Sequence, residues 1–149
     1  MDPSFEPVHT VLDYYDGPLN GVADFQGAPH FYRALFSETD DEWDDRFELS
    51  PLAQDTFALA LEDWAIWKRF ERQYRGGEVA WSGAKDEWGA LPEDWPRHRE
   101  IASVLDTALA IDPHRRIVAV AEFRARQPAP PDSAPGAMRP LEVRWTPVE

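Results

Sequence analysis

In LDYYDGPLNGVADFQGAPHFY, residues 12–32, three aspartates and a histidine fall among closely spaced turn formers. Asp13, Asp16, Asp24 and His30 are the side chains best suited to chemistry. Carboxylates with an imidazole can hold a divalent cation or move protons as acid and base. Their placement depends on local structure. HTVLDYY (9–15), GVADF and HFYRALF are short β-branched and aromatic runs separated by DGPLNG and QGAP, which predicts three strands in a meander. Asp13 and Asp16 then end the first strand, Asp24 lies in the second and His30 starts the third. A two-residue hairpin at Gln26–Gly27 sets Ala23 opposite His30 and Asp24 opposite Pro29. The plainer account is that Asp-Gly and Asn-Gly only supply turn conformations. No residue is assigned a catalytic role, and the only cofactor the pattern suggests is a divalent cation.

A second candidate follows at SETDDEWDD (37–45), expected to leave the sheet, with RFELS as a fourth strand. Asp40, Asp41, Glu42, Trp43, Asp44 and Asp45 set an aromatic knob among carboxylates, an arrangement suited to a basic protein partner. The alternative is a solvated loop with Trp43 folded onto the core. The overall charge of −13 is uneven. Residues 1–64 carry fifteen acids against Arg33 and Arg46, while residues 65–149 balance thirteen acids with thirteen bases. Such a field disfavours nucleic acid, whose phosphates need a basic footprint. Arg115, Arg116, Arg124 and Arg126 are then expected to pair with the acidic half or to guard a strand edge. No P-loop, GxGxxG, HExxH, GxSxG or EF-hand motif occurs, and His9, His30, His98 and His114 are widely spaced.

The strongest predicted element is a helix in SPLAQDTFALALEDWAIWKRFERQYRGG, capped by Ser50 with Pro51 at its first position and stopped at Gly76–Gly77. Phe57, Ala60, Leu61, Trp64 and Trp67 recur at helical spacing, widened by Ile66, Phe70 and Tyr74, which predicts a central core helix. A second helix is expected near 96–110, ended by Asp112–Pro113. Between the helices, Trp81, Trp88 and Trp95 recur every seven residues, either packed or lining a groove. Strands are expected at 115–126, with Ile117, Ala119, Ala121, Phe123 and Ala125 on one face for a helix to approach, and at 141–149. Residues 128–140 form a Pro-rich loop. The sum is one α+β domain over 1–149: an N-terminal three- or four-stranded meander plus a C-terminal hairpin, with two helices on one face of the antiparallel sheet.

The turn YDGP (15–18), the step GAPH (27–30) and the helix motif WAIW (64–67) resemble a group of short, uncharacterised bacterial proteins. The resemblance covers about the first half of the chain and implies no activity. That group tends to have an acidic helix cap where this chain has Ala53, which again points to Ser50. The chain has no cysteine, so disulfides and thiolate chemistry are excluded. MDPSFEPVH lacks the features of a secretory signal, and no apolar run approaches the ~20 residues of a membrane span. A cytoplasmic module that recognises a basic partner, as immunity proteins and inhibitors do, is the expected function. A small ligand- or cation-binding protein or enzyme built on the meander is the alternative. Oligomeric state is not legible.

Overall fold

The computed structural model describes residues 4–14, 17–77, 89–126 and 140–148. The strands are β1 (Glu6–Tyr14), β2 (Pro18–Phe25), β3 (Ala28–Ser37), β4 (Glu42–Pro51), β5 (Ile117–Ala125) and β6 (Leu141–Pro147). Helices α1 (Gln54–Arg75) and α2 (Trp95–Ala108) are inserted between β4 and β5. Each strand pairs antiparallel with its neighbour, and β6 pairs back to β1 through Glu6↔Val143 and Pro7↔Glu142. The open sheet expected from sequence is therefore corrected to a closed six-stranded barrel. The meander and hairpin exist, but their outer edges join. Among the described residues no helix is long and apolar enough to cross a membrane.

Closure creates an interior that side chains must fill. Tyr32, Phe47, Phe123 and Trp145 meet there as four rings in mutual contact, with centroids 5.5–6.0 Å apart. Ala23, Ala34 and Ala119 make room for them. Ala119 and Ala121 of β5 thus serve the barrel interior and not a helix. The β2–β3 turn has the two-residue form, with positive φ at Gln26 and Gly27. It sets Ala23 opposite His30 and Asp24 opposite Pro29, as the hairpin register requires.

One contact fixes three strands together. Tyr32 on β3 leans across Gly21 on β2, and its hydroxyl donates to the Thr10 carbonyl on β1 at 3.0 Å. A Cβ on Gly21 would lie 2.1 Å from that carbonyl oxygen and 2.8 Å from the Tyr32 oxygen. Burial pushes the Tyr32 hydroxyl far above the usual phenol range, so it remains a donor.

The helices lie outside the barrel. Val22 and Phe31 sit opposite each other on its outer face. Val22 joins Ala60, Ile66, Ala90, Ile101 and Leu105 in a second core. Helix α1 is thus a cover and not the centre of the molecule, and Leu61 of its predicted apolar face remains exposed. Ser50 does not cap α1. It lies in β4, and its hydroxyl accepts from the Asp112 amide at 3.0 Å, while Ala53 takes the cap position with no side-chain bond. The stop at Gly76–Gly77 is present, with amide bonds to the Arg72 and Tyr74 carbonyls. The segment SETDDEWDD stays in the sheet, as the β3–β4 hairpin. Trp81, Trp88 and all but the last residue of the Pro-rich loop lie outside the described residues.

The rest of the outer wall is charged. Buried Glu48 accepts from Arg33 Nε at 2.7 Å and from Arg116 Nε at 2.6 Å. Burial works to raise its pKa, but the hydrogen bonds from Arg116 and Arg33 outweigh it and hold the carboxyl below its usual range. Arg124 pairs with Glu142 and Arg144 with Glu122. Both guanidiniums also lie over Phe5, at 3.6 and 5.1 Å from its ring centre, beside the β1–β6 seam. Arg116 and Arg124 therefore pair within the barrel wall and guard no free edge.

These contacts make two predictions about stability. Gly21→Ala is expected to cost at least ~3 kcal/mol in urea unfolding, the scale of a steric clash in a packed core. Gly27→Ala, strained in φ but with open space around its Cβ, is expected to cost only ~1 kcal/mol. Glu48→Gln is expected to lose about 1–2 kcal/mol at pH 7. Because the folded pKa lies below the unfolded one, this deficit is full above the unfolded carboxylate pKa. It disappears as pH falls through the folded value, where the native glutamate is also protonated. A deficit that persists in acid would contradict that assignment.

Candidate functional site

The two ends of the barrel differ. One carries the β2–β3 turn and the helical insertion. The Glu6 carboxylate closes that turn, accepting from the Gln26 and Gly27 amides at 3.1 and 2.7 Å. At the other end the β3–β4 hairpin projects, and a cavity of about 700 Å³ opens into the barrel. Its floor is Phe47 and Phe123, and its rim holds Phe36, Trp43 and the carboxylates of Asp41, Glu42, Asp44 and Asp45.

The hairpin register explains the arrangement. Phe36 pairs with Trp43 across the ladder, and the rings meet edge to face at 5.1 Å. Both remain nearly half exposed, at 45% and 44%. Trp43 therefore neither folds into the core nor stands alone. Asp41 turns the chain with φ of 52°, and Asp40 is tied to Ser37.

The carboxylates differ in state. Asp44 is held by Arg46 through Nε at 2.9 Å and Nη2 at 2.7 Å. The Arg46 hydrogen bond lowers its pKa to about 2. Asp45 is pushed the other way, chiefly by its hydrogen bond with Asp44. Among the described residues no basic side chain pairs with Asp41, Glu42 or Asp45, whereas the acids of the barrel wall are matched by arginine.

A smaller hollow of about 420 Å³ adjoins the mouth and shares Leu19, Ala34 and Trp43 with it. Asp13 and Asn20 line it. The Asn20 amide nitrogen donates to Asp13 at 2.8 Å, while its buried Oδ1 has no partner among the described residues. Asp13 therefore belongs with Trp43 and not with the other meander residues. Asp24 lies four positions further along β2 than Asn20, about 13 Å away at strand rise, and it pairs with His9 at 2.8 Å. His30 is buried against Phe25 and bonded to the Ala28 carbonyl. Asp16 lies outside the described residues. Asp13, Asp24 and His30 do not gather, and no group of three or more potential metal ligands occurs among the described residues.

Fold and mouth together define a class: a small closed antiparallel barrel with a helical cover and an acidic, aromatic opening. Compared with protein-family models, with curated proteins and with solved structures, the chain matches none of them. The mouth must therefore be interpreted from its own chemistry. Sequence reasoning picked out its acidic rim but missed its aromatic floor and the Arg46 clamp. The inward alternation of Phe47 and Phe123 was the available signal for the floor.

The Asp44–Asp45 contact is open to a direct check. Following side-chain carboxyl shifts by NMR titration, Asp45 should protonate above the ordinary aspartate range and Asp44 near pH 2. Asp44→Asn should return Asp45 toward its ordinary value. An Asp45 titration unaltered by that substitution would remove Asp44 as the cause.

Proposed function

We propose that the open end of the barrel is a recognition site for a basic protein partner, which presents a lysine or arginine side chain to the mouth. The observation that carries this reading is the Phe36–Trp43 pair surrounded by carboxylates that, Asp44 apart, have no cation among the described residues. An exposed aromatic face attracts a cation, and a charged hydrogen bond to carboxylate adds to it. Asp13 adds an exposed carboxylate in the adjoining hollow, which Arg33, itself paired with Glu48, also lines. The net charge of −13 acts at longer range, raising the association rate of a basic partner in a salt-dependent way. The mouth offers acceptors and aromatic surface, which suit binding. The inhibitor-like or immunity-like role is the corresponding biological reading.

An arginine-rich peptide is a suitable probe of the site, whatever the identity of the partner. It should bind at low salt and weaken steeply as ionic strength rises. The triple substitution Asp41→Asn, Glu42→Gln, Asp45→Asn should weaken it at least tenfold, and Trp43→Ala several-fold. A control triple with the same loss of charge elsewhere, Asp55→Asn, Glu93→Gln, Asp106→Asn, should have a much smaller effect. Equal weakening by the two triples would reduce the mouth to a share of the general field.

A further inference from the structure

A second cavity, of about 380 Å³, lies between β1 and the two helices. Its walls are mainly apolar: Val11 and Leu12 come from β1, Trp64 from α1 and Leu105 from α2. Leu12 and Tyr14 are 50% and 59% exposed, so the β1 side of the cavity reaches the surface. One strong polar pair belongs to this wall. His98 on α2 is bonded through Nδ1 to the Asp63 carboxylate on α1 at 2.6 Å.

Such a bond fixes the imidazole tautomer. A neutral His98 donates Nδ1–H to the carboxylate, and Nε2 carries the free lone pair. Among the described residues nothing is bonded to Nε2. Trp95 packs edge-on against the ring at 5.2 Å, which further fixes its plane. The cavity is thus a mainly apolar slot whose polar lining is Thr10, Tyr14 and the Asp63–His98 pair, with the imidazole held in a fixed orientation. Its volume exceeds the ~150 Å³ that suffices for benzene in an engineered cavity, and it falls in the range of natural small-ligand sites. The strong net negative charge weighs against an anionic occupant.

We propose that this cavity binds a small neutral aromatic ring bearing one hydroxyl or N–H donor, with the ring among the Leu12, Trp64 and Leu105 side chains and the donor on His98 Nε2. Asp63 is a positioning residue: it holds the proton on Nδ1 so that Nε2 accepts. The site is separate from the barrel mouth and does not depend on the reading of that end.

The probes are p-cresol and toluene, which share a ring and methyl group and differ by the hydroxyl. At about pH 8, where an ordinary imidazole is neutral, calorimetry should show saturable p-cresol binding to the native chain, with toluene about tenfold weaker or more. The His98 imidazole NMR signals should shift with p-cresol. In His98→Phe the two probes should bind alike; should that variant fail to fold, the comparison on the native chain still decides the matter. Absence of saturable p-cresol binding, or equal affinity for the two probes on the native chain, would overturn the proposal and leave Asp63–His98 as a clamp between helices.

Discussion

The structure depends on how the narrow interior of a six-stranded barrel is filled. The solution is four aromatic rings in mutual contact, with alanines opposite them and one position without a side chain, Gly21. Only there can the Tyr32 ring cross β2 and return its hydroxyl to the Thr10 carbonyl. The bond satisfies two buried polar groups at once, and leaving either unmade would carry a desolvation cost of about 1–3 kcal/mol. It also locks β1 against β2 and β3 where β1 has register shifts on both sides of Thr10 and Val11. The seam between β1 and β6 has few register pairs, so the position of β1 must be set largely from the β2 side. Tyr32 does this.

With the interior full, the outer surface divides into three regions of different chemistry. The outer faces of β2 and β3 are apolar at Val22 and Phe31, and the insertion between β4 and β5 returns to cover this side. The wall from β3 to β6 carries paired acids and arginines and needs no cover. The open end carries acids of which, among the described residues, only Asp44 has a cation. Charge of one sign close together is unfavourable for folding and is retained at a cost. The raised Asp45 pKa is one local expression of that cost. Where the same chain neutralises other acids with arginine, unmatched carboxylates around an exposed tryptophan are the feature that folding alone does not explain.

Much of the strand and helix content was legible in the residues. Alternation of Ile117, Ala119, Ala121 and Phe123 marked a buried face, though what buries it is the barrel and not a helix, and the Gln26–Gly27 turn set its own register. Closure was not legible, because alternation reports that one face is buried and not what buries it. An open sheet under a helix and a closed barrel give the same pattern. The wide apolar face of α1 reinforced the wrong choice: a helix that covers a barrel needs apolar residues as a core helix does. Ser50 illustrates a second limit. Ser-Pro before a periodic run has the form of a helix start, yet β4 runs through it to Pro51, and the serine bonds a loop 62 residues away in sequence.

The site showed the same division between local and distant information. The acidic hairpin was visible as a run of residues because its ring is formed by a single turn. Asp13 and Trp43 come together only through the register of four strands, and Asp63 meets His98 across 35 residues through the packing of two helices. Spacing along the chain cannot reveal such pairs, and it also suggested one that the fold separates, Asp13 with Asp24. The barrel then keeps its two cavities chemically distinct. Carboxylates and exposed rings line the mouth, whereas the slot under the helices has the Asp63–His98 pair in a mainly apolar wall. The proposed occupants differ accordingly: a cationic side chain for the mouth and a neutral ring for the slot. The chemistry of each cavity therefore argues for separate occupants.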